Sequence, residues 1–286
     1  FFFFNNSSST EICARFLHNA LHFYSIHLLQ LGLFSLSDVR IPSLSCNLSY
    51  TVGALCLSDR YLPSLLYNPA DSVGALGFSD LKIKLSGDVQ QDLSRMTAIR
   101  DVHPECRLLL DANGGFNLPD AMCFVDELSA HGFEVDFLEQ PFPSGSLEEN
   151  RQLASLSPIP ILADESCTSV ESLRTCFNEA AFSGVNLKIQ KSGVWESVLI
   201  HEAALQSGKN LMIGGMVESP LSMTLSAHLV RGVGSFDWVD LDTPLFMKEH
   251  PFKGGIQFDS GIVQLKADPG LGISLNPDFE GLTSSD

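Results

Sequence analysis

Basic side chains are scarce in this chain, with 17 Lys and Arg against 34 Asp and Glu and a formal net charge of −17. Nucleic acid and anionic membrane both need clustered Lys and Arg, so neither is expected as a partner. Paired cysteines are lacking too. The seven, at 13, 46, 56, 106, 123, 167 and 176, are odd in number and form no CxxC, which points away from a disulfide framework and from zinc. None of them stands out as a nucleophile. A reducing compartment is expected, the cytoplasm, or a plastid if the chain comes from a plant. Residues 16–36 carry no Asp, Glu, Lys or Arg, yet His18, Asn19, His22, His27 and Gln30 interrupt them. A lipid-facing helix tolerates such residues poorly, so no membrane span is expected. His18 and His22 could share a helix face, but no acidic residue accompanies them and they read as incidental.

What the chain does have is length and a core. At 286 residues with 44% hydrophobic content it can fill one α/β barrel of about 250 residues. From about residue 48 onward, short apolar runs alternate with helical periodicity. Strands are expected at 50–55, 81–85, 107–110, 135–138, 159–163, 185–189, 211–213 and 236–239. Helices are expected at 89–102, 119–130, 147–156, 170–179, 195–207 and 219–230, with Ser169 and Pro119 as start signals. A hairpin is expected from 255–258 and 262–265, and a frayed polar tail over 276–286.

The ends of the expected strands carry the chemistry. Lys84, Asp111, Glu139, Asp164, Lys188, Gly214 and Asp240 follow one another at steps of 24 to 28 residues. That step is one strand, one helix and two loops. If the sheet closes into a (β/α)8-type barrel, these residues meet at the C-terminal mouth, whereas an open sheet would spread them along a line. Singly, each acid has a dull reading as a cap or turn residue. Three bare carboxylates on consecutive strands repel one another unless a cation sits among them, and an all-oxygen set suits Mg²⁺. In Lys82-Ile83-Lys84 the two-residue period puts both lysines on one side, and Lys188 lies about opposite Lys84 in a barrel of eight strands. A lysine acts as a base near neutral pH only if its pKa is lowered, here by Lys82 or by a metal ion. Gly214 and Gly215 would allow close backbone approach to a ligand. Asp240 and Asp242 would share one face and suit an ammonium group.

The motifs KIK, DAN, EQP, ADES, LKIQK, GGMVES and DLD, in this order, resemble the muconate-lactonizing subgroup of the enolase superfamily, and the final DxD resembles its dipeptide epimerases of the L-Ala-D/L-Glu type. The resemblance covers roughly residues 48–275. It implies a (β/α)7β barrel at 48–253 and an α+β cap that the hairpin and tail at 254–286 would complete. Residues 1–47 show no recognisable counterpart of that cap, so a truncated or missing cap is expected. The resemblance makes Asp111, Glu139 and Asp164 the ligands of one Mg²⁺, Lys84 and Lys188 the acid/base pair, Asp240 and Asp242 the ammonium site, and Lys82 and Glu218 supporting residues near the substrate. The reaction implied is a 1,1-proton transfer through an enediolate, a Lys-and-Mg²⁺ chemistry described for this superfamily in general. The substrate would be a dipeptide, and a homo-oligomer is compatible with these readings. The alternatives are a cycloisomerase, an o-succinylbenzoate synthase or N-acylamino-acid racemase using the same metal and lysines, or a barrel too open to catalyse. Where the family has Gly-Gly after the LKIQK-type motif, this chain has Ser192-Gly193-Val194.

Overall fold

The computed structural model describes residues Val52–Leu55 and 78–279, apart from 248, 260 and 278. The charge-free stretch at 16–36, the segment 1–47 and most of the expected tail lie outside the described residues. Among the described residues no helix is long and apolar enough to cross a membrane.

Eight strands form one sheet in chain order: β1 (Val52–Leu55), β2 (Asp80–Lys84), β3 (Arg107–Asp111), β4 (Val135–Glu139), β5 (Ile161–Ala163), β6 (Gly184–Leu187), β7 (Asn210–Ile213) and β8 (Trp238–Val239). Every neighbouring pair is parallel. Helices α1 (Val89–Val102), α2 (Leu118–Ala130), α3 (Leu147–Leu156), α4 (Val170–Asn178), α5 (Ile189–Gln206) and α6 (Pro220–Val233) follow β2 to β7 in turn. Ser169 starts α4 with a reciprocal capping box to Ser172, and Asn117 caps α2, which has Pro119 in its first turn.

Side chains show that the sheet curls. In a flat sheet β2 and β8 would stand about 29 Å apart, six spacings of about 4.8 Å. Instead Lys82 Nζ on β2 lies 3.6 Å from Asp240 Oδ2, just beyond β8. Phe137 on β4 meets Trp238 on β8 edge to face, with ring centroids 4.8 Å apart, and Trp238 Nε1 donates to Asp136 Oδ2 at 2.9 Å. The architecture is the α/β barrel that the spacing of the strand ends implies.

The two-residue strand period sorts the core into two parts. Leu81, Ile83, Leu108, Leu110, Leu138, Ile161, Val185, Leu187, Leu211 and Ile213 face outward into the large cluster shared with the helices. Leu109, Phe137, Leu162, Met212 and Trp238 form a separate inner plug. Moving two residues along each of those strands leads from the plug to Asp111, Glu139, Asp164, Gly214 and Asp240. The plug is the floor on which the mouth residues stand.

The elements differ from expectation mainly at their ends. The helix expected at 195–207 is the second part of α5, which is broken at Gly193 (φ 74, ψ 171). Its first turn falls in LKIQK, whose apolar alternation continues the strand pattern and masks it. The hairpin is present as β10 (Gln257–Asp259) and β11 (Ile262–Gln264). A second antiparallel pair, β9 (Phe252–Gly254) with β12 (Ile273–Leu275), was not expected, since three-residue strands carry little periodic signal. The tail is tied to α6, because Ile256 N–H donates to Thr224 Oγ1 at 2.9 Å. Gly255 (φ +77) passes so close that a Cβ would sit 2.4 Å from the same oxygen.

Phe137 fills the plug with no exposed surface. Phe137→Ala should cost about 3–5 kcal/mol of stability through the lost burial and the cavity left behind. Urea denaturation measures this, and a loss under about 1 kcal/mol would show that the plug does not support the barrel.

Candidate active site

At the mouth, one ligand oxygen each from Asp111, Glu139 and Asp164 lies within 4.8 Å of the others, and all three residues are fully buried. Asp111 keeps part of its turn role, since one oxygen accepts from Asn113 N–H at 3.1 Å. The other oxygen faces the lysines. Such a row of buried charge persists only with positive charge around it.

Lysines supply that charge from three sides. Lys82 lies one layer below the mouth, level with Leu109, and is 1% exposed. Its Nζ is 2.7 Å from Glu139 Oε2 and 3.1 Å from Asp111 Oδ2. Lys84 pairs with Asp111 Oδ2 at one end of the row. Lys188 pairs with Asp164 Oδ2 at the other end and lies 3.9 Å from Glu139 Oε1. Thus Lys84 and Lys188 cap the two ends of the row, and Lys82 reaches its first and middle acids from below.

The pKa directions follow from these contacts. Burial alone would depress Lys82, but Glu139, Asp111 and Asp240 outweigh it and hold its ammonium well above the usual lysine value. Burial and the charge of Asp111 push Glu139 up to about 7 against the pull of Lys82. Burial would raise Asp164 as well, but Lys191, Lys188 and Lys82 win and hold it below the usual carboxylate range. Lys82 and Lys84 likewise overcome burial to lower Asp111. Lys188 sits above its ordinary value: burial pulls it down, while Glu139 and Asp164 pull it up more strongly. That is opposite to what a base requires, and the carboxylates responsible are those that a cation would engage.

Other expected residues behave differently in detail. Strand β8 ends at Val239, and Asp242 has helical backbone angles (φ −83, ψ −8) at the start of a short 3₁₀ turn, so strand alternation does not explain the DLD pair. Both acids are nevertheless buried, and Asp240 Oδ1 has no hydrogen-bond partner among the described residues. Glu218 braces its own loop, accepting from Met216 N–H at 2.8 Å and from the Ser222 hydroxyl. Gly214 and Gly215 are closely approached by side chains: a Cβ on Gly214 would sit 2.9 Å from Asn186 Oδ1, and one on Gly215 2.7 Å from Met223 Cε, the mobile end of its side chain.

Three residues had no assigned part in the sequence reading. Asn186 Nδ2 donates to Glu139 Oε1 at 2.7 Å. It stands two residues before Lys188, so the two-residue period places it on the same inner face. Lys191 Nζ donates to Asp164 Oδ1 and to the Asp164 carbonyl, both at 2.6 Å. Gln140 accepts from Asp164 N–H at 2.9 Å. Neither follows from strand alternation, because Lys191 is in a helix and Gln140 is past the end of β4. The buried thiols of Cys167 and Cys176 are pushed up to about 12 and about 11, which makes them poor nucleophiles.

Three convergent carboxylates with all-oxygen donors fit a hard divalent cation. A family model described as enolase C-terminal domain-like matches residues 68–279. An aromatic dipeptide epimerase from Herpetosiphon aurantiacus is 39% identical over 196 residues, 68% of this chain and 55% of that protein. An L-Ala-D/L-Glu epimerase from Thermotoga maritima is 33% identical over 186 residues, 65% of this chain and 54% of that protein. The dipeptide epimerase from Cytophaga hutchinsonii, solved with Mg and the dipeptide D-Ala-L-Val, superimposes with a TM-score of 0.73 at 27% identity, over 80% of this chain and 62% of that one. The chain spans about half the length of the curated relatives it matches.

If the triad holds a cation, Mg²⁺ at about 100 times its Kd should add about 2.7 kcal/mol of stability by mass action. Thermal melts with and without Mg²⁺ measure this, and Asp164→Asn should abolish most of the rise. The effect should weaken as pH falls through about 7, since Glu139 must give up its proton to ligate. An equal rise in Asp164→Asn would remove the triad from consideration.

Proposed function

The chain belongs to the enolase C-terminal domain-like family, and on that premise we propose that it is a dipeptide epimerase of the L-Ala-D/L-Glu type, inverting one α-carbon by 1,1-proton transfer. The observation that carries this reading is the row Asp111–Glu139–Asp164 with a lysine at each end. The names of the relatives support the same reaction class.

Asp111, Glu139 and Asp164 would hold one Mg²⁺ per chain. Bound there, the ion would supply electrophilic stabilisation to the dipeptide's carboxylate as the neighbouring α-proton leaves. Lys84 Nζ, at the Asp111 end, would move the proton on one face of the α-carbon, and Lys188 Nζ, at the Asp164 end, on the other. Lys82 is too buried and too firmly protonated to be a base. It acts as a fixed charge beneath the row, against Glu139 and Asp111. The unpartnered Oδ1 of Asp240 calls for a donor, and with Asp242 it would receive the substrate's α-ammonium. Glu218 would contribute from the mouth loop that it braces.

Two results test the assignment. A dipeptide with a free amino terminus should turn over far faster than its N-acetylated form, and equal turnover of the two would favour an N-acylamino-acid racemase or a cycloisomerase. In D₂O, Lys84→Ala and Lys188→Ala should each lose epimerisation while still exchanging the α-proton of one stereoisomer, with opposite preference. A Lys188→Ala variant that epimerises at the wild-type rate would place the base elsewhere.

A further inference from the structure

We propose that Lys191 and Gln140 form a two-sided clamp on Asp164 that fixes the direction of its carboxylate; this rests on the metal-site reading above. The Lys191 side chain is 5% exposed, and its ammonium has three protons for three acceptors: Asp164 Oδ1 at 2.6 Å, the Asp164 carbonyl at 2.6 Å and the Asn186 carbonyl at 2.8 Å. It therefore grips both the main chain and the side chain of Asp164, and it ties the end of β5 to the end of β6.

Gln140 takes the opposite side. Its Oε1 accepts from Asp164 N–H at 2.9 Å and from Ser166 N–H at 3.1 Å. Its Nε2 donates to the Phe142 carbonyl at 2.7 Å and to Ser166 Oγ at 2.8 Å. All four hydrogen-bonding places of the amide are used, in a side chain with 1% exposure. The residue holds φ at 40, a left-handed value that costs a non-glycine residue of order 1–3 kcal/mol and persists only where the surroundings enforce it. The Asp164 N–H is thus held from β4 and its C=O from α5. With Oδ1 also on Lys191, the carboxylate is held on the side of Asp111 and Glu139. Lys191 and Gln140 are positioning residues.

The test is Mn²⁺ binding by the full chain, with free Mn²⁺ counted by EPR. A lysine acting only as a nearby positive charge would repel the ion, so Lys191→Met would then bind Mn²⁺ more tightly. A clamp predicts the reverse, a loss of about tenfold, as is usual when groups that orient metal ligands are removed. Gln140→Met leaves the charge of the site unchanged, should lose a similar factor, and decides the matter if Lys191→Met does not fold. Unchanged or tighter binding in either variant overturns the clamp while leaving the metal site standing. If the wild-type chain binds no Mn²⁺, the metal reading fails, and the metal-free crystal structure of whichever variant folds decides the clamp separately. A rotated Asp164 carboxylate there supports the clamp, and an unmoved one overturns it.

Discussion

Three buried carboxylates whose ligand oxygens lie within 4.8 Å of one another cannot all stay ionised in a low-dielectric interior unless positive charge is built in around them. At this barrel mouth the chain supplies much of that charge itself, although Glu139 is still pushed up to about 7. Asp111, Glu139, Asp164 and Asp240 face Lys82, Lys84, Lys188 and Lys191, four against four. The lysines are not equivalent. Lys82 and Lys191 are locked by several contacts each and sit under or behind the row, while Lys84 and Lys188 cap its ends. A divalent cation in the row would add two positive charges. Lys84 and Lys188, at the ends of the row, are the two proposed for acid/base work.

The rest of the fold serves this arrangement. The inner plug of Leu109, Phe137, Leu162, Met212 and Trp238 sets the level from which the mouth residues rise two positions later. The curl of the sheet brings β2 to β8, without which Lys82 could not reach Asp240. Asn186 is close enough to donate to Glu139 because Gly214, on the neighbouring strand, has no Cβ to exclude it.

Much of this could be read in the sequence because two periods carry it. The 24-to-28-residue step marks successive strand ends, and the two-residue step marks the inner face of each strand. Together they place Lys82, Lys84, Asp111, Glu139, Asp164 and Lys188 before any coordinates are known. Asn186 escaped although the two-residue period places it on the inner face, and the rest of what escaped lies where neither period applies. Lys191 is presented by the first turn of α5, ahead of the break at Gly193, and Gln140 by a left-handed residue after β4. At Gly214 and Gly215 the nearest groups to an added Cβ are the Asn186 and Met223 side chains of the protein itself. Asp242 follows the end of β8 into a 3₁₀ turn, so its burial beside Asp240 owes nothing to strand alternation.

In the proposed site the row of carboxylates would exchange lysine ammonium groups for one divalent cation. Crystals of the full chain soaked in Mn²⁺, with anomalous data collected at the manganese edge, test it most directly. A single anomalous peak is expected between Asp111, Glu139 and Asp164, with Lys84 and Lys188 withdrawn from those acids while Lys82 and Lys191 stay in place. A peak elsewhere, or none with all four lysines still on the carboxylates, would contradict it.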